Sequence, residues 1–268
     1  MNHLKFRVSQ SVENKMLTKK DLNLFLQATR YCDSNHREIK AIARKITSLY
    51  KNKKEKAKAL FYWIKEQIKF EFGYWGIKAS DILRRKKGMC TNKANLLIAL
   101  LRAIKIPAGY GILRVNTKKF YRELMCPSFK KLVSPETTHI YVGIFLDKKW
   151  LICDSSVDSD LAKALKKNSP FAEMTGFDLN EQDIKNMKGI LIRREFFSNI
   201  DENLGKPPRH AKGMTLKILN SYLKFLREKK QAIRNLSAKR IEIFFLNWLR
   251  KKSIYYFRFM KKLRNNQI

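Results

Sequence analysis

Cys90, His139 and Asp154 are residues whose types and spacing suit a single chemistry. Cys90 lies in Gly88-Met89-Cys90-Thr91-Asn92, where a glycine-containing turn gives way to the apolar run Leu96-Leu97-Ile98-Ala99-Leu100-Leu101. The length of that run favours a helix over a strand. A thiol at a helix N-terminus meets unpaired backbone N–H groups and the positive end of the macrodipole, so it ionises more readily than a free one. Arg84, Arg85, Lys86 and Lys87 lie just upstream and act in the same direction. The same N–H groups can hold the oxyanion that forms when a thiolate attacks an acyl carbon. The plainer reading of Cys90 is a buried structural cysteine.

His139 belongs to Thr137-Thr138-His139-Ile140-Tyr141-Val142-Gly143-Ile144-Phe145-Leu146, a strand by its β-branched and aromatic content. Asp154 ends a second strand, Trp150-Leu151-Ile152-Cys153-Asp154, and Asp147-Lys148-Lys149 between them leaves room only for a hairpin turn. A two-residue turn pairs 146 with 149 and puts His139 and Asp154 on one face, diagonally displaced, with twist or a bulge at Gly143 closing the gap. An odd-membered loop puts them on opposite faces. On a shared face the carboxylate orients the imidazole and stabilises its protonated form. The imidazole takes the thiol proton and later protonates the leaving group. Taken singly, His139 also reads as a satisfied sheet histidine and Asp154 as a strand-end residue.

The remaining elements must position these three. Asp21–Leu26 alternates like a short strand. Ser34 or Asn35 is placed to cap a helix running to Tyr50, with Ile39, Ile42, Ala43 and Ile46 on one face. A second helix is expected from about Glu55 to Phe70, with Ala57, Leu60, Phe61, Ile64 and Ile68 inward. Phe70-Glu71-Phe72-Gly73-Tyr74-Trp75-Gly76 follows as an aromatic loop, suited to function or to plugging the helix ends. After the cysteine helix, ending near Lys105, a strand is expected over Ala108–Val115. A long connection to Glu136 then carries Phe120, Tyr121, Cys126 and Phe129, and a loop of that length suggests a lid.

This arrangement resembles the transglutaminase-like superfamily of papain-related thiol enzymes. Gly88-Met89-Cys90, the run Leu96 to Arg102 and Ile106-Pro107-Ala108-Gly109 resemble its nucleophile helix and the following turn. Thr138 to Val142 and Trp150 to Asp154 resemble its His and Asp strands. The resemblance spans about residues 36–160. It implies an α+β fold, with a papain/transglutaminase-like core in which the nucleophile helix packs on an antiparallel sheet, and a catalytic triad of Cys90, His139 and Asp154. It also implies a second oxyanion donor upstream of the cysteine. Trp75 is the candidate, with Tyr74 and Gln67 behind it. Lys149 stands where relatives often have glycine, and Ser155 where they often have proline or threonine. Neither departure touches the chemistry. The resemblance further implies an acyl-thioester step on amide bonds of a peptide or protein substrate. Hydrolysis is favoured over transamidation, because water needs no dedicated acceptor site. Tyr74 and Phe129 are candidates for the substrate cleft.

Composition bounds the alternatives. The chain has 268 residues, 44% hydrophobic and 30% charged, which fits a globular protein with one substantial core. Its 58 Lys and Arg against 23 Asp and Glu give a formal charge of +35, a surface that attracts polyanions. No signal-peptide or membrane-spanning segment is evident, so a cytoplasmic location is expected. Cys32, Cys90, Cys126 and Cys153 lack disulfide or metal spacing. They read as free thiols, with no metal and no cofactor called for. Two regions are expected: 1–206 as the catalytic domain and 207–268 as a basic helical C-terminal extension, with Asp201–Gly213 as a linker. Leu216, Leu219, Leu223 and Leu226 space like one apolar helix face, and Ile241, Phe244, Phe245, Trp248 and Tyr255 like another. These basic helices suit an anionic membrane or nucleic acid, or else dock on the catalytic domain. The alternative to an enzyme is a non-catalytic relative that binds through this surface.

Overall fold

The computed structural model describes residues 5–6, 18–122, 124–131, 133–165, 170–173, 175–179, 187–204 and 213–265. Residues 1–4 and 7–17, and residues 205–212 of the expected linker, lie outside them.

Helix α1 (Lys19–Leu24) stands where alternation suggested a strand. Thr18 decides this by a capping box: its hydroxyl accepts from the Asp21 N–H (3.1 Å), and the Asp21 carboxylate accepts from the Thr18 N–H (3.0 Å). Helix α2 (Arg37–Thr47) starts one residue later than expected, with His36 rather than Ser34 or Asn35 accepting from the Glu38 N–H, and it stops short of Tyr50. Asn52 caps α3 (Lys53–Gln67) through the Glu55 N–H at 2.8 Å. That helix was expected to continue to Phe70. Instead its last residues become β2 (Lys69–Phe70), which pairs in parallel with β3 (Lys87–Gly88) after the short helix α4 (Ala79–Arg85). The β2–β3 pair fixes the chain immediately ahead of helix α5 (Cys90–Ala103).

The main sheet contains, besides the short β1 (Lys5–Phe6), strands β4 (Ala108–Asn116), β5 (Glu136–Leu146), β6 (Lys149–Cys153), β7 (Phe177–Leu179) and β8 (Leu191–Phe197). Their order is β1-β8-β4-β5-β6-β7 and neighbours are antiparallel. Helix α5 packs on β4 and β5 and on α2, α3 and α4. The molecule is thus α+β, with the Cys90 helix on an antiparallel sheet.

Such burial makes α5 hydrophobic nearly all round, and the polar residues it does carry are bonded. Arg102 donates to the carbonyls of Gln27, Ala108 and Ser198, and Asn95 donates to Tyr31 O while accepting from the Tyr110 hydroxyl. These bonds hold the helix against three different segments.

The expected lid between Asn116 and Glu136 is largely packed inward. It contains a helical turn (Thr117–Phe120) and a 3-10 turn (Pro127–Lys131), with Phe120, Tyr121 and Phe129 buried. Asp201–Leu204, expected as linker, is a helical turn. The first tail helix is Met214–Glu228, the second Ala238–Lys252 and the third Ile254–Arg264. Their inward residues differ in part from the expected faces: Ile218, Tyr222 and Phe225 are buried in the first helix, and Tyr255 is 61% exposed. Ile218, Tyr222, Phe225, Phe245 and Met260 share one apolar cluster with Phe70, Cys90, Tyr121 and Phe171. Among the described residues no helix is long and apolar enough to cross a membrane.

Candidate active site

Cys90 is the first residue of α5, and its N-cap, Met89, makes no side-chain cap bond. Orphan N–H groups of the first turn therefore stay available to an anion. The β5–β6 hairpin turns through Asp147 and Lys148, both at positive φ (49° and 62°), and pairs Leu146 with Lys149. This is the even-membered turn, and its primed geometry matches strand twist. Cross-strand pairing continues without a shift through Gly143 to Val142↔Cys153, so no bulge at Gly143 is used. His139 Nε2 lies 2.5 Å from Asp154 Oδ2, both groups being buried. The other carboxylate oxygen accepts from the Ser156 N–H at 2.8 Å, which fixes its rotamer. Phe120 and Phe171 flank the imidazole at 5.0 and 5.8 Å between ring centroids and keep water from it. Phe171 is a contributor that nothing in its local sequence marks.

His139 Nδ1 is buried without a partner that meets hydrogen-bond geometry, and it is the ring nitrogen left for the thiol. Burial opposes the charge on both groups. For Cys90 the hydrogen-bonding and charge influence of His139, with a bond from the Ile140 backbone, outweighs burial and leaves the thiol below its ordinary pKa. For His139 burial is outweighed by the Asp154 carboxylate and by Cys90, and the imidazole is pushed up to about 10. Each group is thus shifted toward its charged form, the thiol toward a thiolate and the imidazole toward an imidazolium. All four cysteines are free. Burial pushes Cys32, Cys126 and Cys153 upward, so Cys90 alone is shifted toward the thiolate.

A cavity of about 520 Å³ adjoins the site. Met89, Thr91, Thr138 and Ile140, the chain neighbours of Cys90 and His139, line it, whereas the two residues themselves sit behind that wall. Cys90 is 1% exposed. Trp75 lines the cavity, and its carbonyl accepts from Asn92 Nδ2 at 2.8 Å, tying the aromatic loop to the first turn of α5. Phe129 also lines it, edge-on to Tyr222 of the first tail helix (5.1 Å). Tyr74 does not, since its hydroxyl donates to Leu204 O at 3.1 Å and its neighbours Gly73 and Trp75 face the cavity instead. Gln67 is exposed at the end of α3.

Residues 40–155 match the family model of the transglutaminase-like superfamily. That segment, less than half of the chain, is similar to the superfamily. Cys90, His139 and Asp154 all fall within the transglutaminase-like match. Among solved structures, a protein from Cytophaga hutchinsonii described as a candidate cysteine protease matches with 24% identity and a TM-score of 0.42. The match covers 57% of this chain and 48% of that one, so this chain spans about half the length of its structural neighbour. No curated protein matches.

Two clusters beside the candidate site were not apparent from the sequence. Asp158, fully buried, accepts two bonds from Arg227 of the first tail helix (3.1 and 2.6 Å) and one each from the Phe70 and Leu161 N–H groups. Nearby, the Asn220 side-chain amide pairs with both the N–H and the C=O of Phe72, each at 2.8 Å. The first tail helix thereby walls the cavity, with Thr215, Leu216, Leu219 and Tyr222 facing it.

Lys93, one turn along α5 from Cys90, is fully buried and donates to Ile68 O at 2.6 Å. Burial lowers its pKa to about 7, against the opposing pull of Asp158 and Asp154. Between that value and the ordinary 10.5 the unfolded chain holds one more proton than the folded one, so this residue makes stability rise with pH across the window, by about 1.4 kcal/mol per unit. His139 acts in the opposite sense between 6.5 and about 10, so the readout is a difference between proteins. Urea unfolding at pH 7.5 and 9 should show stability of the wild type gaining on that of Lys93→Met as pH rises. Parallel pH dependences would show that Lys93 is not neutralised on folding.

Proposed function

We propose that this protein is a thiol acyl-transfer enzyme acting on peptide or protein amide bonds, with Cys90 as nucleophile, His139 as acid and base, and Asp154 as the orienting carboxylate. The observation that carries this reading is the buried 2.5 Å contact of His139 Nε2 with Asp154, which leaves Nδ1 for a thiol held at a helix N-terminus. The Cys90 thiolate adds to the amide carbon. The resulting oxyanion is held by N–H groups of the first turn of α5, with Trp75 as the candidate second donor. The His139 imidazolium passes its proton to the amide nitrogen, the C–N bond breaks, and the amine leaves with a thioester on Cys90. The neutral imidazole then takes a proton from a water whose oxygen attacks the thioester, which restores the imidazolium, and collapse of the tetrahedral intermediate breaks the C–S bond, releasing the acid and the Cys90 thiolate. Hydrolysis is favoured over transamidation. Support for this comes from the absence of any acceptor requirement for water rather than from a site that selects it.

Intact-protein mass spectrometry after mixing with a panel of peptide p-nitrophenyl esters and amides tests the reading. The expected result is an acyl adduct on Cys90, a free acid as product, and neither in Cys90→Ala. Amide product from an added primary amine, exceeding acid at low amine concentration, would replace hydrolysis by transamidation. The 1% exposure of Cys90 favours a second reading, a non-catalytic relative that binds nucleic acid or an anionic membrane. It would be supported by the absence of any adduct across the panel.

A further inference from the structure

The corner between the second and third tail helices presents cations and large apolar side chains together. Ser253 separates the two helices. Arg250, Lys251 and Lys252 are exposed on one side of it, and Arg258, Lys261, Lys262 and Arg264 on the other. From Ile243 to Asn265 the sequence contains no Asp or Glu. The acid just before this stretch, Glu242, is turned inward, 4% exposed, and accepts from the Ser128 N–H. Among the described residues none of these seven cations is ion-paired. Elsewhere in the tail Arg227 and Lys230 pair with Asp158 and Asp160, while Lys217, Lys229, Arg234, Lys239 and Arg240 carry no ion pair among the described residues, so the corner stands out by its exposed Ile and Tyr rather than by free charge alone.

Ile254 and Tyr255, next to Ser253, are 51% and 61% exposed. At the angular step of an α-helix, Lys261, Ile254, Arg258, Lys262 and Tyr255 follow one another around about a third of the third helix's circumference. Met260 and Leu263 are buried on the opposite side. The inward face is already packed, so among the described residues the exposed Ile and Tyr belong to no core stripe.

We propose that this corner docks the protein on an anionic lipid surface. Ile254 and Tyr255 enter the headgroup layer, and the flanking lysines and arginines meet the acidic headgroups. A surface helix with aromatic and aliphatic residues among Lys and Arg has the composition of an interfacial anchor, and tyrosine is favoured at that depth. Ile254 separates a bilayer from a nucleic acid. Duplex binding rests mainly on polar contacts to phosphates, and single-strand binding on ring faces inside a basic groove, so an exposed aliphatic side chain on a convex corner adds more to a bilayer than to either. In a bilayer the same side chain leaves water. No residue of the corner lines the cavity beside Cys90, so the proposal does not depend on the thiol chemistry.

The test is co-sedimentation of the full chain with phosphatidylcholine vesicles, with and without phosphatidylserine, at physiological ionic strength. Three proteins are compared: wild type, Ile254→Ser with Tyr255→Ser, and Arg258→Gln with Lys262→Gln. All four positions are exposed, and thermal unfolding checks that each variant folds. The wild type should bind the phosphatidylserine vesicles at least about tenfold more tightly than neutral ones, and each variant should lose about tenfold. Single-stranded and duplex oligonucleotides are titrated in parallel, and the Ile254/Tyr255 change should leave any such binding unaltered. Failure to bind phosphatidylserine vesicles overturns the proposal. So does vesicle binding that ignores the loss of Ile254 and Tyr255, which would mark a diffuse polycation. Oligonucleotide binding that exceeds vesicle binding and falls with the Ile254/Tyr255 change would assign the corner to nucleic acid instead.

Discussion

In His139→Ala, alkylation of Cys90 by iodoacetamide at pH 6 falls on the order of 100-fold. A thiol at its ordinary pKa of 9.0 is ionised to only about one part in a thousand at that pH. Without the imidazolium the remaining large influence on Cys90 is burial, which raises the pKa further. The rate falls by less than the thiolate population because a more basic thiolate is the better nucleophile. Peptide mass mapping gives the rate at each cysteine in one experiment, and Cys32, Cys126 and Cys153 serve as controls because burial holds them all protonated. In the wild type the Cys90 rate should stay above that of the other three cysteines at pH values where an ordinary thiol is protonated, and this advantage should fade as pH approaches about 10, where His139 loses its proton. Turnover of any amide substrate should fall at least about a thousandfold in the same variant, since nucleophile and base act as a unit. Equal alkylation rates in the two proteins, or Cys90 no faster than the other three, would remove the thiolate–imidazolium pair and with it the enzyme reading.

Arg227→Ala should cost about 3–5 kcal/mol of stability, seen as a drop in Tm on the order of 10 °C. Asp158 is fully buried and Arg227 is 19% exposed, so removing the guanidinium takes away both of its bonds to the carboxylate and leaves Lys69, at 3.8 Å and 45% exposed, as the remaining ion pair. Burial raises the Asp158 pKa, but Arg227, the Phe70 N–H and Lys93 more than offset this, and the carboxyl is held below its ordinary value. With Arg227 gone that balance reverses around a charge that also accepts from Phe70 and Leu161. Lys54→Ala supplies the contrast. Its partner Asp178 and Lys54 itself are each more than half exposed, and the change should cost under about 1 kcal/mol. Urea unfolding of both variants checks the pair. A loss at Arg227 no larger than at Lys54 would mean that the first tail helix is not held by this bond, and the wall it gives the cavity would lose its anchor.

The long apolar run after Cys90 was legible as a helix because a helix closes its bonds locally and a run of that length exceeds a strand. Alternation and β-branched content likewise marked β5 and β6. The shared face of His139 and Asp154 followed only on the condition of a two-residue turn. That condition is met by two residues, Asp147 and Lys148, neither of them the glycine or asparagine that usually signals positive φ. Asp21–Leu26 misled because alternation over so few residues is weaker than a capping box, and Thr18 with Asp21 supplied the box. The helix expected to reach Phe70 ends at Gln67 because Lys69 and Phe70 find a strand partner at Lys87 and Gly88, a pairing that periodicity does not encode.

Chain order alone marked Cys90, His139 and Asp154 as candidates, because each stands on an element whose pattern is written within ten or so neighbours. It carried the charge of the tail as well, since charge is a count. The packed fold was needed for everything made by distant pairs. Arg227 meets Asp158 across 69 positions and Asn220 meets Phe72 across 148, and no local rule marks a basic or amide residue on an amphipathic helix as the partner of either. Lys93 resembled any polar residue of a helix's first turn until burial on every side showed it to be a lysine without water. Ile254 and Tyr255 were indistinguishable in sequence from the core aromatics beside them. Which side of a helix faces the rest of the chain is set by what that helix packs against, and that lies outside the helix's own sequence.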